Sequence, residues 1–197
     1  MKKLTMIALI LIVAISSIMA GVVSSYRVYG VDYDVDVTET AIKINTYGEG
    51  LAASEHKVVV ERSAIPDFIS FLRSVHSKHS EWYALSRENN IKDMAKIMPT
   101  VPSRFSVKLE WKFGSDMQFS GAVPLIPFYT IDGDIQSASL VALSEPVSSS
   151  NQFIGFGSQI IMIFLAPDEL LSLINALDEK KIYEHMDKLK RNRDLFK

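Results

Sequence analysis

The sequence predicts an α+β fold: a single domain with an antiparallel-dominated sheet and helices packed on one face, preceded by an N-terminal signal peptide or membrane anchor. Apolar and polar residues alternate along several short runs, as in strands that bury one face. Two runs with helical spacing begin close to a proline, at Pro66 and Pro167. The chain has 197 residues, of which 48% are hydrophobic, and can therefore supply the core of one domain.

Residues 1–23 have the pattern of a bacterial export segment, because two lysines precede the apolar run of residues 4–23. A signal peptidase would cut best after Ala20, although Ile18 is bulkier than the residue preferred three positions before a cleavage site. Uncleaved, this run of 20 residues is long enough to cross a bilayer. The sequence leaves both alternatives open.

Either alternative predicts that residues 24–197 form a single extracytoplasmic domain, because the two lysines would hold the N-terminus in the cytoplasm. We expect the domain in the periplasm or on the extracellular face of the bacterial cytoplasmic membrane. It would be secreted if cleaved, and would contact the membrane through residues 4–23 if not. The chain has no cysteine, which excludes lipobox anchoring, disulfides, thiolate catalysis and cysteine-based zinc sites.

The charge distribution indicates which classes of partner the protein can bind. The formal net charge of −2 argues against a nucleic-acid partner. No lysine or arginine lies between Lys112 and Lys180, whereas the tail 188–197 is basic. These stretches are either solvated faces or, for the lysine-free one, a docking face for a basic or neutral partner.

The runs 31-VDYDVDV-37 and 41-AIKINTY-47 both alternate and predict a hairpin with a two-residue loop. In that register apolar residues meet apolar residues, and acids meet a base or an amide. The expected pairs are Val37 with Ile42, Val35 with Ile44, Asp36 with Lys43, and Asp34 with Asn45.

Asp32, Asp34 and Asp36 are interpreted as the solvated face of this strand, with Lys43, Lys108 and Lys112 as cross-strand partners. A calcium loop would need glycine at its sixth position and glutamate at its twelfth. The chain has Val37 and Lys43 there, so an EF-hand is excluded.

The spacing of Phe68, Ile69, Leu72 and Val75 predicts a helix over 65–79 after a strand at 57–62. We expect helical structure to continue through 81–88 and 91–97 and to stop at 99-PTVP-102. His76 and His79 are three residues apart and could both contact a metal ion, with Glu81 nearby as an oxygen ligand. Polar residues close to a helix C-terminus explain them better.

The second half begins with an alternating strand at 104–113. A three-residue loop at 114–116 would return it to 117–123 and place a buried Trp111 opposite Phe119. Further expected elements are strands at 125–131, 134–143 and 159–165, a hairpin turn at Asp132 and Gly133, a helix from Pro167, and a last helix with Ile182, Met186 and Leu189 on one side. Residues 26–98 and 103–192 could be duplicated half-domains.

The candidate binding residues are aromatic. Phe128 and Tyr129 follow Pro127, and Phe153 and Phe156 lie in a loop at 144–158 that is rich in serine and glycine. Exposed aromatic residues suggest a surface for sugar, peptide or lipid, whereas buried ones would cap the core. No metal or cofactor site is predicted, and no catalytic motif of the serine-hydrolase, zinc-protease, Walker or Rossmann type is present.

These observations favour an exported or membrane-tethered bacterial envelope protein that acts as a non-catalytic binding or assembly module. Its partner would be an envelope protein that contacts an acidic or aromatic surface. The alternatives are a periplasmic carboxylate-dependent hydrolase, or an inhibitor or immunity protein that masks a basic partner.

Overall fold

The computed structural model describes residues 21–49, 53–113, 115–143 and 159–195. It confirms a single α+β domain with a large antiparallel sheet. The strands are β1 (Gly21–Val28), β2 (Val31–Val37), β3 (Ala41–Thr46), β4 (Gly48–Glu49), β5 (Ala53–Glu61), β6 (Asp93–Ile97), β7 (Phe105–Phe113), β8 (Asp116–Phe119), β9 (Val123–Asp132), β10 (Ile135–Leu143) and β11 (Gln159–Phe164). The helices are α1 (Ile65–Glu88), α2 (Pro167–Ala176) and α3 (Glu179–Asp194).

The strands pair in the order β1-β2-β3-β5-β7-β9-β10-β11-β4, with β8 beside β7 and β6 beside β9. Only Tyr47 separates β3 from β4 in the chain. The last strand in this order therefore continues the third one, and the strands from β3 to β11 close into a ring. The β1–β2 hairpin lies outside this ring and branches from β3.

Helix α1 supplies a large part of the core. Phe68 and Phe71 have no exposed surface, and both rings contact Phe105 of β7, with centroids 5.2 and 5.7 Å away. Helix α2 contacts α1, β1 and β11. The buried side chains of all three helices and of the sheet form one apolar cluster, as expected for a single domain.

Helix α2 also covers the edge of β1. The backbone N–H of Arg27 donates to Ser172 Oγ at 3.3 Å, and the hydroxyl of Ser24 donates to the carbonyl of Ala176 at 2.6 Å. A bare edge strand would offer unpaired backbone groups to other chains. These contacts satisfy part of that edge within the domain.

The helix expected over 91–97 is wrong. Helix α1 ends at Glu88, and Asp93–Ile97 is strand β6, which pairs with β9. Asn90 has a φ of +51°, its N–H donates to the carbonyl of Arg87, and the N–H of Ile91 donates to that of Ser86. This is a Schellman motif with asparagine in the left-handed position, which ends a helix.

The pairing of Trp111 with Phe119 is also wrong. Asp116 pairs with Phe113, so the loop has two residues and not three, and Trp111 pairs with Gln118. A shift of one residue turns every side chain to the other face of a strand. Trp111 is buried as predicted, whereas Phe119 is 58% exposed.

The predicted pairs of the β2–β3 hairpin are confirmed for Val35, Asp36 and Val37. The pairing ends at Val35 with Ile44, so the expected pair of Asp34 with Asn45 is not part of the ladder. The β2 residues before Val35 separate from the chain that follows Ile44, and this separation creates a cavity.

The three aspartates lie on the solvated side of β2, as predicted, because Val35 and Val37 take the buried side. Their partners differ from those expected. Asp32 pairs with Arg27 at 3.0 Å and Asp36 with Lys57 at 2.9 Å. The expected partners pair elsewhere: Lys43 with Glu110, Lys108 with Glu61, and Lys112 with Glu55.

Asp34 is suited to testing whether the aspartates of β2 have only a structural role. It is exposed and forms no ion pair with the described residues. We expect Asp34→Asn to change the free energy of unfolding by no more than about 0.5 kcal/mol, as for other exposed sites. Urea unfolding of both proteins measures this. A rise in melting temperature with Ca²⁺ that Asp34→Asn abolishes would contradict a structural role.

The export segment lies almost wholly outside the described residues, which begin at Gly21. Residues 21–23, the end of its apolar run, belong to β1, and Gly21 pairs with Val37. The domain therefore includes residues before 24. Among the described residues, no helix is long and apolar enough to span a membrane. The duplication of residues 26–98 and 103–192 stays a prediction.

Candidate functional site: the fork between β2 and β11

The candidate site is a cavity where two strands diverge from the same stretch of chain. Strand β2 pairs with β3 only from Val35 to Val37, and its earlier residues lie apart from the chain that follows Ile44. Strand β11 joins that chain further on, through β4 and a hydrogen bond from Ile161 N–H to Tyr47 carbonyl at 3.4 Å. The space between the strands is a cavity of about 250 Å³. Its lining consists of Tyr26, Val28, Tyr29, Tyr33, Thr46, Tyr47 and Ile161–Phe164.

Tyr26 and Tyr33 form the inner wall. They pair across β1 and β2, and their rings stack with centroids 5.5 Å apart. The hydroxyl of Tyr26 donates to the carbonyl of Asn45 at 2.7 Å. Burial raises the pKa of Tyr26, so the hydroxyl stays neutral and fixes the ring in place.

Tyr29 and Tyr47 stand at the mouth, 52% and 56% exposed. Tyr29 and Gly30 are the two loop residues of the β1–β2 hairpin, with φ angles of +53° and +74°. This is the left-handed pair that a tight hairpin turn requires. A tyrosine in that conformation costs about 1–2 kcal/mol, so other contacts must hold it.

Glu169, in the first turn of α2, supplies those contacts. One carboxylate oxygen accepts from Tyr29 N–H at 3.0 Å, and the other accepts from Leu165 N–H at 2.6 Å. The single side chain thereby ties the hairpin turn to the end of β11. Burial, and then the nearby Glu169 charge, raise the pKa of the Tyr29 hydroxyl, which remains protonated at neutral pH.

We therefore expect Glu169→Ala to lower the free energy of unfolding by about 2 kcal/mol, because two backbone donors lose a charged acceptor. Urea unfolding gives the stability, and the amide resonance of Tyr29 reports the turn. The neighbouring exposed acid provides the control: Asp168→Ala should stay within about 0.5 kcal/mol. Equal losses of stability in both variants would show that the two hydrogen bonds to Glu169 do not stabilise the domain.

The sequence-predicted binding residues lie elsewhere. Tyr129 is fully buried in β9, where its hydroxyl lies 2.9 Å from Ser86 Oγ and its ring contacts His79 and Trp82 edge-on. Phe128 is half-buried on the opposite face of that strand. Neither lines the cavity, and Phe153 and Phe156 lie outside the described residues.

The tyrosines that do line the cavity left a signal in the sequence. Four of the seven tyrosines of the chain fall within residues 26–47. Tyr26 and Tyr33 are placed symmetrically about the turn of Tyr29 and Gly30. A hairpin turn assigned to Tyr29 and Gly30 would have predicted that Tyr26 and Tyr33 lie side by side on one face.

Two other hollows lie in the described chain, the first mainly polar and the second mainly apolar. One, of about 540 Å³, lies at the C-terminal end of α1 and includes Arg87 and Gln136. The other is an open groove of about 960 Å³ on the outer face of the sheet. Its buried carboxylate, Glu110, contacts Lys43 Nζ at 2.6 Å. Within the described ranges, no three histidine, aspartate or glutamate side chains group as metal ligands do.

No protein-family model, no curated protein and no solved structure matches this chain. The fold and the cavity therefore define the class of protein: an α+β domain with a ring-closed antiparallel sheet and a tyrosine-lined cavity at the fork of two strands.

Proposed function

We propose that this chain is an exported or membrane-tethered bacterial envelope protein that acts as a non-catalytic binding module, with the fork between β2 and β11 as its binding site. The observation that carries the proposal is the cavity itself. It is walled by four tyrosines and apolar β11 side chains, and Tyr29 and Tyr47 leave it open to solvent. Apolar concave sites with a few polar groups are the usual form of ligand sites.

The size of the cavity limits what can enter it. About 250 Å³ is just below the range of roughly 300–1,000 Å³ typical of small-molecule pockets. Such a space is large enough for one aromatic ring system or one large apolar side chain. Tyrosine rings prefer offset or edge-on contacts with other rings, which favours an aromatic group.

The geometry suits a tethered domain as well as a released one. Strand β1 begins next to the predicted cleavage site after Ala20 and runs from Gly21 towards the turn at Tyr29. At a rise of ~3.3 Å per residue, the mouth of the cavity lies roughly 26 Å from Gly21. A membrane-anchored form would hold the binding site away from the bilayer.

Titration with N-acetyl-tryptophanamide, followed by NMR, tests the site. We expect the methyl resonances of Ile161, Met162 and Ile163 to shift. Tyr47→Ala should weaken binding about threefold or more, the value of one aromatic contact. The matched control is Phe119→Ala, which removes an equally exposed aromatic from β8. Absence of shifts at β11, or equal weakening by both variants, would contradict this site.

Export is tested separately. A C-terminal alkaline phosphatase fusion should be active, because the two N-terminal lysines favour translocation of the remaining chain. Intact-mass analysis of the exported product then distinguishes a chain that starts at Gly21 from one that retains Met1. Activity of a reporter that works only in the cytoplasm would overturn the envelope assignment.

An inhibitor or immunity protein is the second candidate, favoured by exposed acids in elements that line or contact the cavity wall, which include Asp34 of β2 and Asp168 of α2. It would bind one basic enzyme and suppress its activity, whereas an assembly module would bind without inhibition. The hydrolase alternative has less support, since the buried carboxylate Glu110 is engaged by Lys43.

A further inference from the structure

The wall of the cavity formed by β11 is an incompletely paired strand edge. On that edge β4 pairs only with Gln159 and Ile160, and the last contact is Ile161 N–H to Tyr47 carbonyl. Backbone groups of alternate residues point to the same edge of a strand. The N–H and C=O of Ile163 therefore point to the same side as those of Ile161, beyond the end of β4.

The opposite wall of the cavity, formed by β2, also has a strand edge that is only partly paired. Strand β2 pairs with β3 only from Val35 to Val37, while its other edge is occupied by β1 along its length. The stretch of β2 from Val31 to Asp34 thus has no strand partner on the side of the fork within the described chain. Two strand edges flank a space that already holds an aromatic cavity.

The charge of the surrounding elements is one-sided. Strands β1, β2 and β11 and the first turn of α2 have a single cation, Arg27, which pairs with Asp32. The acids of the same elements are Asp32, Asp34, Asp36, Asp168 and Glu169, and since Asp36 pairs with Lys57 of β5, the excess negative charge lies on Asp34, Asp168 and Glu169. This part of the surface attracts a basic ligand.

We propose that the fork takes an extended, basic segment of a protein partner, which adds a strand to β11 at Ile163 and places one aromatic side chain among the tyrosines. This rests on the proposed function, because it assigns a ligand class to the same cavity. Strand addition gives affinity through backbone hydrogen bonds, and a pocket for one side chain gives specificity. The acidic surroundings fit lysine or arginine beside the aromatic residue.

The probe is the peptide acetyl-Lys-Thr-Trp-Thr-Lys-amide, compared with N-acetyl-tryptophanamide by calorimetry and NMR. We expect the peptide to bind about tenfold more tightly, since two backbone hydrogen bonds add roughly that factor. Hydrogen exchange of the Ile163 amide should slow on binding. Replacing both lysines with glutamate in the peptide should weaken it, and added salt should reduce the difference.

Single N-methylation of the peptide provides the matched control. Alternate N–H groups of an extended peptide point to opposite sides, so methylation at one position should prevent pairing with β11 while methylation at the next is tolerated. Equal binding of both methylated peptides, or no gain over N-acetyl-tryptophanamide, would overturn strand addition while leaving the aromatic site intact. If neither probe binds, the site fails as well.

Discussion

Replacing Trp111 with alanine should lower the free energy of unfolding by about 3–5 kcal/mol, the range for emptying a large aromatic site in a core. Trp111 is 3% exposed and lies on the buried face of β7 together with Val107 and Leu109. Its removal leaves a void that the closed ring of strands is poorly able to fill by collapse. Urea unfolding of parent and variant measures the loss.

Phe119→Ala is the control for this prediction. Phe119 lies opposite Glu110 on the outer face of the sheet, so its loss should cost no more than about 0.5 kcal/mol. The three-residue loop expected from the sequence would pair Trp111 with Phe119 in the core and make both replacements costly. Comparable losses in the two variants would restore that register and contradict the one described.

The register of the β2–β3 hairpin could be predicted because its two faces differ by charge. Val35 and Val37 alternate with aspartates, and shifting the pairing would bury a charge, so the register with Ile42 and Ile44 followed from the sequence. In β8 the same reasoning predicted the wrong register, because the apolar residues Met117 and Phe119 are exposed and Gln118 lies opposite Trp111.

The end of α1 was missed because its stop signal is local and weak. Residues 91–97 contain helix-forming residues at helical spacing, but Asn90 adopts the left-handed conformation and redirects the chain into β6. Asparagine visits that conformation readily, although glycine is the usual signal. A sequence with glycine at this position would have predicted the stop.

The cavity could not be predicted because it arises from two pairings that are distant in sequence. Strands β2 and β11 both pair with the stretch from β3 to β4. The sequences of these two strands do not indicate where they separate from each other. Tyr129 was a candidate because it follows Pro127 and Phe128. Alternation along β9 would have placed it correctly, since Leu125, Tyr129 and Ile131 all face the core.

Acidification from pH 7 to pH 4 should destabilise the domain through His79 by roughly 3 kcal/mol. His79 has no exposed surface, and neither ring nitrogen has a hydrogen-bond partner among the described residues. Its ring contacts Tyr83 of its own helix and Tyr129 of β9, with centroids 5.9 and 5.8 Å away. Burial, and then the nearby His76, lower its pKa from 6.5 to about 4.

The sign follows from which state binds the proton. Above pH 6.5 His79 is neutral in both states, so its burial carries no ionisation penalty. Between pH 6.5 and 4 the His79 imidazole binds a proton in the unfolded chain but not in the folded chain. Stability therefore falls as the pH falls. Below about pH 4 both states are protonated and the loss levels off. At ~1.4 kcal/mol per pKa unit, the interval gives the stated magnitude.

His79→Leu isolates this contribution, because leucine retains an apolar side chain in the core and cannot titrate. Burial also lowers the pKa of His56, and ion pairs lower those of Glu61 and Asp134, so other groups give part of the acid sensitivity in both proteins. The comparison is therefore between two curves of unfolding free energy against pH. From pH 7 to pH 4 the parent should lose about 3 kcal/mol more than His79→Leu, and parallel curves would show that His79 is protonated without cost.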